Sequence, residues 1–275
     1  MITTWMQESR MNLVGTGSVA VMGIVNVTPD SFSDGGRFLR PEAALAHGRT
    51  LLADGADLLD VGAESTRPGF EPVPAEEEWT RLSPVVGTLV AEGAVVSVDT
   101  TKAFVAKRAL EAGAAVINDV WGLQADPEMA SVLADSNAVA VLMHNRHEVD
   151  AALDLRADWR RFFDRSLALA ERAGMARERI VLDPGVGFGK TQAQNVEAVA
   201  RLGELKSEYG LPVLLGVSRK SMFGYFLERA ASERLAGTLA THLYGADQGA
   251  AILRVHDVRE HVDALKMRRI LKDVR

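Results

Sequence analysis

The 275-residue sequence contains no cysteine. Disulfides, thiolate zinc sites and cysteine nucleophiles are therefore excluded. Also missing is any block of lysine and arginine: 31 basic residues stand against 37 acidic ones, for a formal net charge of -6. Nucleic acid and anionic membrane surfaces are poor partners for such a chain. No apolar run approaches the length of a membrane span. The opening MITTWMQESRMNLVGTG has no basic stretch leading into a long apolar one. A secretion signal is thus not expected, and a soluble, cytoplasmic protein is.

A missing glycine decides how the most conspicuous motif is read. IVLDPGVGFGKTQ, residues 180–192, is glycine-rich, follows an apolar run and contains Lys190-Thr191. The phosphate-loop pattern GxxxxGK[ST] needs a glycine five residues before Gly189, where Pro184 stands. The spacing is also GxGxG, so the dinucleotide fingerprint GxGxxG fails. The segment reads instead as a strand followed by a loop, with Asp183 as its functional head. Its glycines let the backbone and Phe188 approach a ligand closely, and Thr191 is a helix N-cap.

What is present is an alternation. With 47% hydrophobic and 25% charged residues, the chain has enough apolar material for a core and no signature of disorder. Short β-branched apolar runs recur at 19–27, 58–61, 95–98, 116–117, 139–143, 180–182, 212–217 and 252–255. Most are almost continuously apolar, as strands buried on both faces of a parallel sheet are. Amphipathic segments at 41–55, 102–113, 158–174 and 192–210 each close on a glycine where a helix C-cap belongs. The last helix is expected at about 257–271. Eight strands alternating with eight helices predict an α/β fold, a (β/α)8 TIM barrel, ahead of a doubly wound open sheet. Nothing reads as a linker, so residues 1–275 are expected to form one domain, with 1–18 an N-terminal extension covering the barrel bottom.

Every strand ends on polar or charged residues. Asn26, Asp60, Asp99, Asn118 with Asp119, His144, Asp183, Ser218-Arg219-Lys220, and Arg254 with His256 close the eight runs in turn. Taken singly, an Asp or Asn there is as well explained by a turn or a helix cap. Eight together, converging on the C-terminal face of a barrel, define an active-site rim. His144 and His147 are three residues apart, but they lie at a strand end and in the loop after it and are read as non-metal.

With these residues in place, the chain resembles the dihydropteroate synthase family. GIVNVTPDSFSDGGRF, residues 23–38, and DVGAESTRPG, residues 60–69, are similar to its two signature segments. SVDTTK, INDVWG, LDPGVGFGKT, GVSRKSMFG and RVHDV match the remaining motifs in order, from about residue 19 to residue 256. The resemblance implies a TIM barrel, usually a homodimer. It also implies a transferase of folate biosynthesis that joins 6-hydroxymethyl-7,8-dihydropterin diphosphate to 4-aminobenzoate, with sulfonamides as competitors. A methyltetrahydrofolate-dependent methyltransferase barrel is the nearest alternative. TPDSFSDGG and SRKS argue against it, since a methyl donor needs no diphosphate cradle. A catalytically silent pterin-binding paralogue is the other alternative, opposed by the intact Asn26, Thr66, Arg67 and Lys220.

The same resemblance assigns roles. Asp99, Asn118, Asp183, Lys220 and Met143 hold the pterin. Asn26, Thr66, Arg67, Arg254 and His256 receive the diphosphate, and Asn26 also contacts Mg²⁺, the implied cofactor. Phe32, Thr66, Pro68, Phe188 and Ser221 bind 4-aminobenzoate when two loops close, and Asp34 lies near the reacting carbon. Lys220, Arg254, His256, Asp99, Thr66, Arg67 and Asp34 are the expected catalytic residues. The expected chemistry is SN1-like: diphosphate leaves first, the electron-rich dihydropterin stabilises the cation, and an aniline nitrogen attacks without a strong base. The main departures from the family pattern are Ala63, where a second glycine is common, and the basic loop MHNRHEVD after strand five.

Overall fold

The computed structural model describes residues 19–27, 41–64 and 73–274. Its strands are β1 (Ala20–Asn26), β2 (Leu58–Gly62), β3 (Val96–Asp99), β4 (Val116–Asp119), β5 (Val139–Met143), β6 (Ile180–Asp183), β7 (Leu214–Leu215) and β8 (Ile252–Val255). The α-helices between and after them are α1 (Pro41–Ala53), α2 (Ala75–Ala91), α3 (Ala103–Glu111), α4 (Met129–Ala134) and α5 (Leu155–Arg172). They continue with α6 (Gln192–Ala200), α7 (Leu202–Tyr209), α8 (Ser221–Leu227), α9 (Leu235–Asp247) and α10 (Val258–Asp273).

All neighbouring strands run parallel in the order β6-β5-β4-β3-β2-β1-β8-β7. The ring is completed by a single parallel bridge, Leu182 to Val213, and by the Leu182 amide donating to the Pro212 carbonyl at 3.0 Å. This is the expected (β/α)8 barrel. The expected N-terminal cover, residues 1–18, lies outside the described residues.

The two-residue period of a strand sorts each apolar run into two layers. Met22, Leu58, Val116, Val139, Val141, Val181, Leu214 and Ile252 point inward and fill the barrel. Leu59, Val61, Val98, Ile117, Leu142, Leu182, Leu253 and Val255 point outward and pack under the helices. Both faces are covered, which is why the runs read as continuously apolar and not alternating. The same alternation carries upward. Two residues beyond an inward apolar residue come Asp60 after Leu58, Asn118 after Val116, Asp183 after Val181 and Arg254 after Ile252. The inner face changes from apolar to polar within one step, and the site stands on a packed floor.

Most boundaries shift by one or two residues from the sequence reading, and three differences bear on packing. The expected single helix at 192–210 is two, because the backbone leaves helical geometry at Arg201 (φ −97°, ψ 12°), after which Leu202 and Leu205 bury in the core. Helix α5 begins at Leu155 and not at 158, since Asp154 caps it by accepting from the Arg156 and Ala157 amides. The seventh strand, expected over 212–217, contracts to Leu214–Leu215. Thr191 is the N-cap of α6 and forms a reciprocal box: its hydroxyl accepts from the Gln194 amide at 3.1 Å, and Gln194 Oε1 accepts from the Thr191 amide at 2.8 Å. Thr191→Ala removes one arm of that box and should lower unfolding free energy by about 1 kcal/mol in urea titration. An unchanged midpoint and slope would show the cap to be inert.

Candidate active site

At the C-terminal mouth of the barrel a carboxylate forms the hub. Asp60 is fully buried. One of its oxygens accepts from Ser97 Oγ at 2.6 Å, and the other from Asn118 Nδ2 at 3.1 Å and from Arg254 Nε at 2.5 Å. Arg254 Nη2 also reaches Asp99 Oδ2 at 3.2 Å. Strands β2, β3, β4 and β8 are thus tied together by side chains across the top of the barrel.

The hub fixes what each partner leaves available. Asn118 must turn its amide nitrogen to the carboxylate, so its carbonyl Oδ1 faces away from Asp60. That Oδ1 is the one buried side-chain polar atom without a partner among the described residues. An unmet buried acceptor is costly, so this carbonyl is available to a donor from water or a bound molecule. Arg254 has five N–H donors and uses two on Asp60 and Asp99, so it can meet an anion while remaining held. Asp183, at the end of β6, accepts from the Gly185 amide at 2.7 Å through Oδ1. Its Oδ2 accepts no hydrogen bond among the described residues. Gly216 leaves the space beside this oxygen and the Arg254 side chain open, since a Cβ there would stand 3.9 Å from Asp183 Oδ2 and 3.7 Å from Arg254 Cβ.

The loop Gly185–Gly189 folds over β6, and Phe188 presents its ring to Lys220, whose Nζ stands 4.3 Å from the ring centroid. Lys220 Nζ also donates to the Val186 carbonyl. Gly185 needs its glycine on two counts: φ is +69°, and a Cβ would collide with the His144 carbonyl. At β8, Ser218 Oγ accepts from the His256 amide at 3.1 Å and lies 2.9 Å from His256 Nδ1, which locks the imidazole in place.

The charges at the mouth are strongly perturbed. Burial, reinforced by Asp60 and opposed by Arg254, pushes Asp99 up to about 7. Burial also raises Asp183, against the pull of the Gly185 amide and of Lys220, Lys190 and Arg254. Burial lowers Lys220 to about 8, with Asp183 opposing it. His256 falls to about 4 through burial and the nearby Arg219 and Arg254. At neutral pH His256 therefore brings a neutral imidazole to the mouth, and the cationic charge there belongs to Arg254 and Lys220.

The structure brings together Asp99, Asn118, Met143, Asp183, Lys220, Arg254 and His256, with Phe188 on the covering loop. Met143 ends β5 paired with Asp183 and is 4% exposed. Asn26 ends β1 with its side chain exposed. Ser221 opens α8, where its Oγ lies 3.4 Å from Gln192 Nε2. Phe32, Asp34, Thr66, Arg67 and Pro68 lie outside the described residues. His144 has both ring nitrogens engaged, by Asp158 at 3.0 Å and Lys190 at 2.8 Å, and His147 packs against Trp121 with centroids 4.2 Å apart. Sequence reasoning placed Asp60 on the rim without its central role, and missed Ser97 and Gly216. Ser97 lies two residues before Asp99 on the same inward face, a signal that the strand period alone carried.

The model of the family described as pterin binding enzyme matches residues 22–256. A dihydropteroate synthase of Clostridium beijerinckii is 46% identical over 253 residues, covering 91% of this chain and 93% of that protein. The solved Xanthomonas albilineans dihydropteroate synthase with 4-aminobenzoic acid superposes with a TM-score of 0.87 at 47% identity, covering 92% of this chain and 93% of that one. The Yersinia pestis dihydropteroate synthase in complex with a sulfonamide drug gives 0.85 at 41% identity, covering 93% and 94%. The chain belongs to the pterin binding enzymes and, among them, to the dihydropteroate synthase family.

The raised Asp99 makes a prediction about stability. The folded chain holds that proton up to about pH 7, whereas an unfolded one releases it near the ordinary value of 3.8. The folded state binds more protons across this window, so stability falls as pH rises through it. Asp99→Asn should raise the urea midpoint at pH 8, with a smaller gain at pH 5. No gain at pH 8 would contradict an ionisation penalty at this site.

Proposed function

We propose that the chain condenses 6-hydroxymethyl-7,8-dihydropterin diphosphate with 4-aminobenzoate, giving 7,8-dihydropteroate and diphosphate in folate biosynthesis. The observation that carries this reading is the unpartnered, buried carbonyl of Asn118, placed by strand alternation on the same inner face as Asp99 and Asp183. A dihydropterin edge presents ring N–H and exocyclic amine donors beside ring acceptors. Asp183 Oδ2 and Asn118 Oδ1 accept from the donors, while Lys220 donates to the acceptors. Met143 lies against the ring, on the packed floor below.

The diphosphate tail lies toward Arg254 and His256. Arg254 offers its remaining N–H groups, and His256 an imidazole N–H. The C–O bond at the pterin methylene breaks, and its electron pair leaves on the diphosphate. The resulting carbon cation is stabilised by the electron-rich ring, and the aniline lone pair forms the new C–N bond before the amine loses its proton. The carboxylates around the hub make positive charge tolerable there, and Arg254 stabilises the departing anion. No step requires a strong base.

Among the described residues no group of three or more His, Cys, Asp or Glu could cage a metal. Asn26 offers one exposed amide carbonyl at the end of β1. That donor set fits a Mg²⁺ ion held mainly by diphosphate oxygens and water, which would neutralise leaving-group charge. In this reading Thr66 and Arg67 complete the diphosphate site, Phe32, Pro68, Phe188 and Ser221 the aminobenzoate site, and Asp34 lies near the cation. Sulfonamides compete there, and the site of action is the cytoplasm.

The chain also acts as a homodimer in this reading. Tyr225, Phe226 and Leu227 on α8 and Tyr244 on α9 are 68%, 51%, 49% and 46% exposed, and a Cβ on Gly237 of α9 would touch Leu227, so the two helices are packed together. Such an apolar face needs a partner. Sedimentation should show a dimer that Phe226→Glu weakens; a monomeric wild type would remove this part of the proposal.

Purified protein should release diphosphate when given both substrates with Mg²⁺, and a sulfonamide should inhibit competitively against 4-aminobenzoate. Folded protein that releases none would reject the assignment. Asp183→Ala should weaken pterin binding at least about ten-fold in calorimetry while the protein stays folded, as expected when a charged hydrogen-bond acceptor is lost.

A further inference from the structure

Lys190 has no part in the chemistry above. Its side chain turns back under the loop and is 5% exposed. Nζ lies 2.8 Å from His144 Nδ1, 2.8 Å from the Gly185 carbonyl and 3.1 Å from the Phe188 carbonyl. Burial lowers Lys190 to about 7; its protonated form has three N–H donors and no acceptor, so these three contacts use it completely. His144 Nδ1 must then accept, and the imidazole proton resides on Nε2, which donates to Asp158 Oδ2 at 3.0 Å. Asp158 is held in turn by Arg146 Nη1 at 2.8 Å and by Arg161. A directed chain runs from α5 through the strand-end histidine of β5 into the two ends of the glycine loop.

The second lysine grips the same loop from another element. Lys220, at the start of α8, donates to the Val186 carbonyl and covers the Phe188 ring. The carbonyls of residues 185, 186 and 188 are thus all taken by ammonium groups, and the Phe188 amide donates to the Gly185 carbonyl at 3.2 Å. Within the loop, Val186 is 1% exposed and packs into the core, and the Gly187 amide donates to Asn195 Oδ1 at 2.6 Å. Gly185, Gly187 and Gly189 on either side have positive φ and carry no side chain, so the flanks of that anchor, Phe188 included, are held by the polar ties.

We propose that Lys190, oriented by His144 and Asp158, is a positioning residue that sets Phe188 and Lys220 against the bound substrates. The inference rests on the proposed reaction only for what Phe188 and Lys220 contact; the hold on the loop is independent of it. Removing the ammonium frees two buried carbonyls and lets the loop drift, which harms recognition of the aromatic acid more than the bond-breaking step.

Lys190→Met, which keeps length and loses every donor, should raise KM for 4-aminobenzoate about ten-fold or more, the loss expected for charged hydrogen bonds, with a smaller change in kcat. Hydrogen exchange at residues 185–189 should quicken. Trp159 fluorescence should also shift, because its indole Nε1 donates to the Pro184 carbonyl at 3.3 Å. His144→Asn, whose amide oxygen can replace Nδ1, should keep KM near the wild-type value, whereas His144→Phe should reproduce the Lys190→Met behaviour with the lysine still present. The histidine pair serves equally if Lys190→Met does not fold. Wild-type KM and wild-type exchange in Lys190→Met, or equal damage from the two histidine variants, would overturn the proposal. A wild-type protein that turns nothing over, but whose loop exchange still responds to Lys190→Met, would refute the reaction and leave the hold on the loop intact.

Discussion

The mouth of this barrel depends on one buried carboxylate. Asp60 has no exposed surface and is kept there by a guanidinium, a hydroxyl and an amide from three other strands. Taking a carboxylate out of water is expensive unless charge and hydrogen bonds compensate, and here both do. Each partner is oriented by that compensation. Arg254 is anchored with donors to spare, and Asn118 is turned so that its carbonyl faces away from the carboxylate. In the proposed function, the groups that would meet the substrate are set before it arrives, so binding would not have to order them.

Much of this was legible in the sequence, for a definite reason. In a parallel barrel the strand is buried on both faces, so a polar residue that interrupts an apolar run stands out, and the two-residue period assigns it inward or outward. Asp99, Asn118, Asp183 and Arg254 follow from that pattern together with the eightfold alternation. The family resemblance then implies a ligand for each. What the pattern could not carry was pairing. That Arg254 answers Asp60, 194 positions away, is a fact of ring closure, and no local signal marks it. The Lys190–His144–Asp158 chain was hidden for the same reason: its members belong to a loop, a strand end and a helix. Short-range features fared unevenly. Thr191 declared itself as a cap through its own spacing to Gln194, whereas the break at Arg201 and the contraction of β7 answer to packing that periodicity does not register.

The electrostatics reconcile an acidic protein with an anionic substrate. The net charge of -6 belongs to the whole chain, while the mouth concentrates Arg254 and Lys220 against carboxylates that burial holds toward their protonated forms. Asp99, pushed up to about 7, thereby carries only part of its negative charge near neutral pH, and Asp183 is shifted in the same direction. In the proposed reaction a departing diphosphate would meet less repulsion than a count of carboxylates suggests, and a developing carbon cation would still find negative charge within reach.

The seam between β6 and β7 has a consequence for how the ring opens. Everywhere else adjacent strands are joined by at least two ladder positions; here a lone bridge at Leu182 and Val213 does the joining. Any breathing of the cylinder concentrates at this weakest stave. Asp183 stands on one bank and Lys220 just beyond the other, so under the proposed function a heterocycle touching both would act as a rivet across the gap. Occupancy and circumferential integrity are then coupled: the molecule is most completely a barrel when it is full.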